Sequence, residues 1–280
     1  MMNDMRGKVC VVTGANRGLG KATSLKLAKL GATVILVCRD KTRGEEAQDE
    51  IRKASNNDSV ELLLGDLSNL GSVRKIAKEF TLGHKELNVL INAAAIYTPN
   101  RTLTSDGYEL MFATNFLGPF LFTNLLLEHL KKGSPSRIIV LSAPSTTKID
   151  FENLQGQKHF SALGAFGASK MADILFTYEL ARRLEGTGVT ANVLFPGVMK
   201  TDLMRNAPFF AKIITSLIGK SPEKGAEAAV YLASSPEVEG KTGCFFKGKT
   251  LSDSNAYSHD SAVQKRLWAE SSKIVGLING

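Results

Sequence analysis

The sequence predicts a single α/β domain, a doubly wound parallel sheet of about seven strands with helices on both faces. Three observations predict it. Short apolar runs alternate with helix-spaced segments along the whole chain. The runs are continuously apolar rather than alternating, as strands are when both faces are covered by helices. No Pro/Gly/Ser linker or internal repeat interrupts the pattern. The length of 280 residues would allow two domains at roughly 150 residues each. The unbroken alternation favours one domain over 1–280, and 43% hydrophobic content is enough to build its core and excludes a disordered chain.

The elements follow in order. Lys8 to Gly14, KVCVVTG, is an apolar run ending in glycine, and LGKATSLKLAKLG then repeats apolar residues at helical spacing until Gly31. ATVILVC is the second strand, Thr42 to Lys53 a charged helix, and VELLLGD the third strand. Leu70 to Phe80 reads as a helix, NVLIN as the fourth strand, and about Asp106 to Leu130 as one long helix. RIIVLS is the fifth strand, Phe166 to Glu185 a helix, and VTANVLFPG the sixth strand. A helix opened by Ser-Pro spans Ser221 to Ser234, and KTGCFF is the seventh strand. About 255–280 forms a closing segment, with a helix from His259 that carries the sole tryptophan, Trp268.

Composition excludes several classes of function. The chain has 35 Lys+Arg against 27 Asp+Glu, a net charge of +8. The basic residues are scattered, which argues against nucleic acid and suits a smaller polyanion such as a phosphorylated cofactor, or loose contact with an acidic membrane surface. Cys10, Cys38 and Cys244 are far apart in apolar settings, so they read as small hydrophobes of a reducing compartment rather than as a disulfide framework, and the four histidines have no metal-ligand spacing. No uninterrupted apolar stretch is long enough for a spanning helix and the N-terminus enters a strand too soon for a signal peptide, so the expectation is a soluble, cytoplasmic protein.

The chemistry is expected beyond the carboxyl ends of the strands. Thr13-Gly14-Ala15-Asn16-Arg17-Gly18-Leu19-Gly20 lies between the first strand and the first helix. Glycines there let the backbone turn and approach a pyrophosphate, whose charge is met by the N–H groups of the helix start. The second strand ends at Cys38-Arg39-Asp40. An arginine in that place accommodates the 2′-phosphate of NADP, whereas an acid would bind the ribose of NAD. With Arg17 nearby, NADP(H) is preferred over NAD(H), and Asp40 is expected to pair with a guanidinium.

TGANRGLG, CRD, GDL at Gly65 to Leu67, the run from Thr114 to Ser142, ENLQG, SKMADILFTYELARRLEGTGVT and FPGVMKTDL together resemble the short-chain dehydrogenase/reductase superfamily, and more closely its retinol-dehydrogenase-like branch. The resemblance covers nearly the whole chain and implies a Rossmann-type fold. It implies that Asp66, with Leu67, contacts the adenine, that Asn92 lies beside the cofactor, and that Asn115 and Lys170 are the catalytic Asn and Lys, Lys170 also binding ribose. By the same resemblance Pro196, Gly197 and Thr201 border the nicotinamide. About 200–220, apolar in Met204 to Ile218, covers the substrate site, which implies a small apolar substrate and leaves peripheral membrane contact open. Relatives assemble through the two long helices, which makes a homodimer or homotetramer an expectation.

Three departures limit the functional expectation. The superfamily places a tyrosine four residues before the lysine, one helical turn away, where the ammonium lowers the phenol pKa. Here that residue is Phe166. The second residue of the family's Ser-Ser pair is Ala143, and because side chains alternate along a strand Ser142 should point elsewhere. Ser145 and Tyr97 are candidate substitutes. The family's Asn-Asn-Ala-Gly aligns with Asn92-Ala93-Ala94-Ala95, whose added methyls are expected to crowd the cofactor. Three classes of function follow: an NADP-dependent oxidoreductase with a non-standard site, a catalytically inactive cofactor-binding protein, or a non-redox enzyme reusing the pocket.

Overall fold

The computed structural model describes residues 4–199 and 219–277. Its strands are β1 (Val9–Thr13), β2 (Thr33–Cys38), β3 (Val60–Leu64), β4 (Val89–Asn92), β5 (Ser136–Leu141), β6 (Val189–Phe195), β7 (Phe245–Lys247) and β8 (Thr250–Ser252). They form one sheet in the order β3-β2-β1-β4-β5-β6-β7-β8. All neighbouring pairs are parallel except β7 with β8. The described residues thus add an eighth, antiparallel edge strand to the seven expected. Its three residues are all exposed and carry no apolar run, which is why the sequence pattern passed over it.

The helices are α1 (Gly18–Lys29), α2 (Lys41–Ser55), α3 (Leu70–Gly83), α4 (Leu110–Lys132), α5 (Ala162–Arg183), α6 (Pro222–Ser234) and α7 (Ser261–Ile274). The two faces of each strand feed different layers. Val11, Ile35 and Val140 pack with Phe80 of α3, Phe116 and Phe120 of α4, Leu175 of α5 and Leu267 of α7. Their neighbours Cys10, Val12, Leu36 and Ile139 pack with Leu27 of α1, Ile51 of α2 and Ala229 of α6. Each such fully buried Leu, Ile or Phe contributes about 1.5–3 kcal/mol, which is why the central strands β1, β2 and β4 read as nearly continuous apolar sequence.

Two helices start four residues away from their expected first residue. α4 starts at Leu110 rather than Asp106, because Glu109 caps it: its carboxylate accepts from the N–H groups of Met111 (3.0 Å) and Phe112 (2.7 Å). Asp106 instead lies in the preceding turn and its carboxylate accepts from the N–H of Leu70, at the start of α3. α5 starts at Ala162, four residues early, because the Ser161 side chain caps it. By length and composition alone α4 is also long and apolar enough to cross a membrane, a property that buried core helices share, and 78% of its apolar window is buried inside the domain.

The sheet reverses its order between β1 and β4, which opens a crevice at the carboxyl ends of the strands. α7 closes the domain on the other side of α5. Trp268 of α7 lies against Phe120 of α4 at 5.1 Å and Phe176 of α5 at 5.8 Å, with the Arg183 guanidinium over its ring at 4.3 Å. A dimer through α4 and α5 would have to accommodate this helix.

Candidate functional site

The glycine turn sits on one side of the crevice. Gly14 has φ +66° and its N–H donates to Val37 O of β2. A Cβ on Gly14 would meet Ala94 at 2.9 Å, and one on Gly20 would overlap the Gly14 carbonyl oxygen. The turn therefore closes only with glycine at both places, and it leaves the first-turn N–H groups of α1 without intrahelical acceptors. Arg17, in extended conformation, is the N-cap, and no side chain caps the helix there. Asn16 is half-buried within the turn, and Leu19 lies against Gly225 of α6. A cradle of this shape, with open N–H donors at a helix start, fits a pyrophosphate.

The adenine side is also assembled. Arg39 directly follows β2, is exposed, and lies 3.8 Å from the Asp66 carboxylate. Asp66 is held by Ser68, which donates from its N–H (2.8 Å) and hydroxyl (2.7 Å), and Leu67 is buried behind it. Asp40 pairs with Arg43 at 3.8 Å and caps α2 through the Arg43 N–H, so its carboxylate is engaged away from Arg39. Asn92 donates to Thr123 Oγ1 at 2.9 Å, and its Oδ1 is buried without a hydrogen-bond partner. Thr13 Oγ1 accepts from the N–H groups of Ala93 and Ala94 and so ties β1 to the end of β4. Ala93 is partly buried and packs against the core cluster that holds Val12, Ile91 and Ile139.

The opposite side carries the second set. Asn115 lies in a wide π turn, Ala113–Leu117, inside α4. Such turns displace one residue out of the helical ladder and recur at functional sites. No change of hydrophobic period marks it in the sequence. Asn115 accepts from Ile96 N–H (2.8 Å) and donates to Ile96 O and Ser169 Oγ (each 3.1 Å), which fixes the chain after β4 from both sides. Tyr97, the next residue, is buried with its ring edge on Phe166, centroids 5.9 Å apart. Phe160, Ala162 and Ala165 complete an apolar wall around them.

Phe166 and Lys170 stand one turn apart on α5, the Lys170 Nζ 5.9 Å from the phenyl centroid. Ala143 is half-buried just beyond β5. Ser142 points beneath α5, donating to Lys170 O at 2.9 Å. Ser145 spends its one proton on Gly167 O at 2.8 Å, so a substrate would have to compete for it. Pro196 and Gly197 follow β6, Gly197 with φ +102°, and the strand-like bridge Met199 to Lys220 closes that edge. Thr201 and the apolar stretch Met204 to Ile218 lie outside the described residues.

One residue of this region was not singled out in the sequence. Asp173, three residues beyond Lys170, is 2% exposed, and its carboxylate lies 2.8 Å from the ammonium. Burial pushes its pKa up to about 6 in spite of the lysine. The available signal was an acid in the apolar run MADILF at i, i+3 from a lysine.

These features define a doubly wound dinucleotide-binding protein with a second, helix-borne site beside the cradle. The short chain dehydrogenase family model matches residues 8–209, and the chain belongs to that family, whose members are oxidoreductases that bind a nicotinamide cofactor. It is similar to retinol dehydrogenase 14 of Homo sapiens, 41% identical over 98% of this chain and 88% of that protein. It is 42% identical to retinol dehydrogenase 13 of Mus musculus, over 97% of this chain and 84% of that one. Among solved structures it matches an uncharacterised protein from Mycobacterium paratuberculosis, 31% identical, with TM-score 0.80 over 98% of this chain and 96% of the other.

Proposed function

We propose that this chain binds NADP(H) in preference to NAD(H) and transfers hydride between it and a small apolar carbonyl, imine or alkene compound, with ordinary carbonyl reduction very slow. One observation carries the reading: Phe166 stands one turn from Lys170, beside the Asn115-clamped loop, in the place the family gives to its phenol. The nicotinamide, when bound, supplies or accepts the hydride. The chain's own residues do the rest. The α1 start and the glycine turn hold the pyrophosphate, Arg39 and Arg17 meet the 2′-phosphate, and Asp66, Leu67 and Asn92 line the adenosine side.

Pro196, Gly197 and Thr201 border the nicotinamide, and Lys170 binds ribose. Phe166 and Ala143 keep the shape of the site but have no hydroxyl, so neither donates a proton to a substrate oxygen. An iminium takes hydride without a proton, and an activated alkene takes its proton from water, which is why these classes tolerate Phe166. The relatives named for retinol support an apolar substrate. A cytoplasmic setting, with contact at a membrane surface, belongs to the same proposal.

The test is calorimetric titration with NADPH and NADP, followed by a panel of aldehydes, ketones, imines and enones. The expected result is binding, with turnover confined to imines or enones. Binding without turnover on any member defeats hydride transfer and leaves a catalytically inactive cofactor-binding protein, the second reading that Phe166 and Ala143 support. Absence of cofactor binding overturns both and leaves a non-redox use of the pocket.

A further inference from the structure

Phe166, Lys170 and Asp173 occupy successive turns on one face of α5, so the lysine stands between a ring that cannot ionise and a carboxylate that can. The ammonium is 6% exposed and the carboxylate 2%. Two of the three N–H donors of Lys170 are spent inside the domain, on Asp173 Oδ2 at 2.8 Å and on Leu141 O of β5 at 3.3 Å. Among the described residues, Lys170 is the one charged side chain bearing on Asp173, and β5, β6, α4 and α7 bring no other ionisable group to it.

We propose that Asp173 is the positioning residue of Lys170 and that this pair takes up a proton from solvent when the dinucleotide binds. The inference rests on the cofactor reading above. Two effects act in the same direction. Ribose hydroxyls compete for the ammonium and weaken its hold on the carboxylate, and the negative phosphates of the cofactor oppose a second anion nearby. Both favour the neutral acid form of Asp173. In the free protein Asp173 loses its proton near pH 6, so above that pH binding converts carboxylate to carboxylic acid, and affinity falls as pH rises. A phenol in place of Phe166 would have given the lysine a second anionic partner on the crevice side; here the carboxylate below it is the ammonium's only one among the described residues.

The experiment measures NADPH affinity and proton uptake together, by calorimetry at pH 5.5 to 8.5 in buffers of differing ionisation enthalpy, on the full chain and on Asp173→Asn. If the cofactor lifts Asp173 by one pH unit, wild-type affinity falls about fivefold between pH 6 and pH 8, and about tenfold over the whole titration. Asp173→Asn, which resembles the protonated pair, binds more tightly than wild type at pH 8 by a similar factor. The cofactor's own 2′-phosphate titrates in the same range but equally in both proteins, so the difference between them reports Asp173. Equal proton uptake in the two proteins overturns the proposal. Should the variant fail to fold, the wild type still decides, because binding without net uptake at pH 7 to 8 with NADH, which lacks the 2′-phosphate, overturns it as well. Loss of NADPH binding by the wild type is a distinct result that removes the cofactor reading itself.

Discussion

The two halves of the crevice are built on opposite terms. Beneath β1 to β3, polar groups face outward to meet a ligand: the N–H groups of the α1 start, exposed Arg39, and Asp66 held by Ser68. Beneath β4 to β6, polar groups face each other: Asn115 holds Ile96, Ser145 holds Gly167 O, and Lys170 holds Asp173. The first region is arranged to bind, whereas the second has turned its remaining donors inward around an apolar wall of Phe166 and Tyr97. The proposed function accordingly assigns cofactor affinity and proton transfer to separate regions of this fold, and has the chain keep the first more fully than the second.

The largest effect should come from making the second region resemble a proton-donating site. Phe166→Tyr combined with Ala143→Ser is expected to raise aldehyde or ketone reduction by about 10² to 10⁴, read in an NADPH-oxidation assay. An inert variant that still folds and binds cofactor would break the contrast at its centre, because the missing hydroxyls would not be what separates the two halves. Gly20→Val should damage the binding half alone. Its side chain would overlap the Gly14 carbonyl, and a few kcal/mol of crowding corresponds to about a 10²-fold loss of NADPH affinity by calorimetry, with the circular dichroism of the fold retained.

Arg39→Ala sharpens the cofactor side further, lowering NADPH affinity about tenfold while leaving NADH affinity within about twofold. Equal losses for both would show that Arg39 does not read the 2′-phosphate. The smallest effect concerns stability. Asp173 has a folded pKa of about 6, above its ordinary value of 3.8, so its contribution is present in full below pH 4 and is lost as pH rises through 6. Burial raises the Glu109 pKa as well, with the same sign. Denaturant titrations should therefore show Asp173→Asn losing about 1 kcal/mol of relative stability between pH 7 and pH 5.

The binding half was legible in the sequence because its signals are local. TGANRGLG sits between a strand and a helix, and Arg39 sits at a strand end, so a short stretch of chain identifies each. The doubly wound sheet was legible for the same reason, since every apolar run became a parallel strand. The reacting half was legible only in its losses at 143 and 166. Its new arrangement depends on contacts between distant segments, such as Asn115 with Ile96 and Ser145 with Gly167, which no local pattern encodes. Asp173 was hidden by its surroundings: an acid within a helix reads as a solvated charge unless the neighbouring turns are known to be buried. β8 and the wide turn in α4 were missed because neither changes the hydrophobic period.

The contact of Trp268 with both Phe120 and Phe176 has a spectroscopic consequence. The chain contains one tryptophan, and it touches both the helix that carries Asn115 and the helix that carries Lys170. Its emission is therefore a native optical signal for the spacing of those two helices, free of any attached dye. A shift of α5 on ligand binding would change the surroundings of the indole, where Arg183 and Phe176 lie against it, so a fluorimeter can follow the reacting half of the crevice in the unmodified protein while calorimetry follows the binding half.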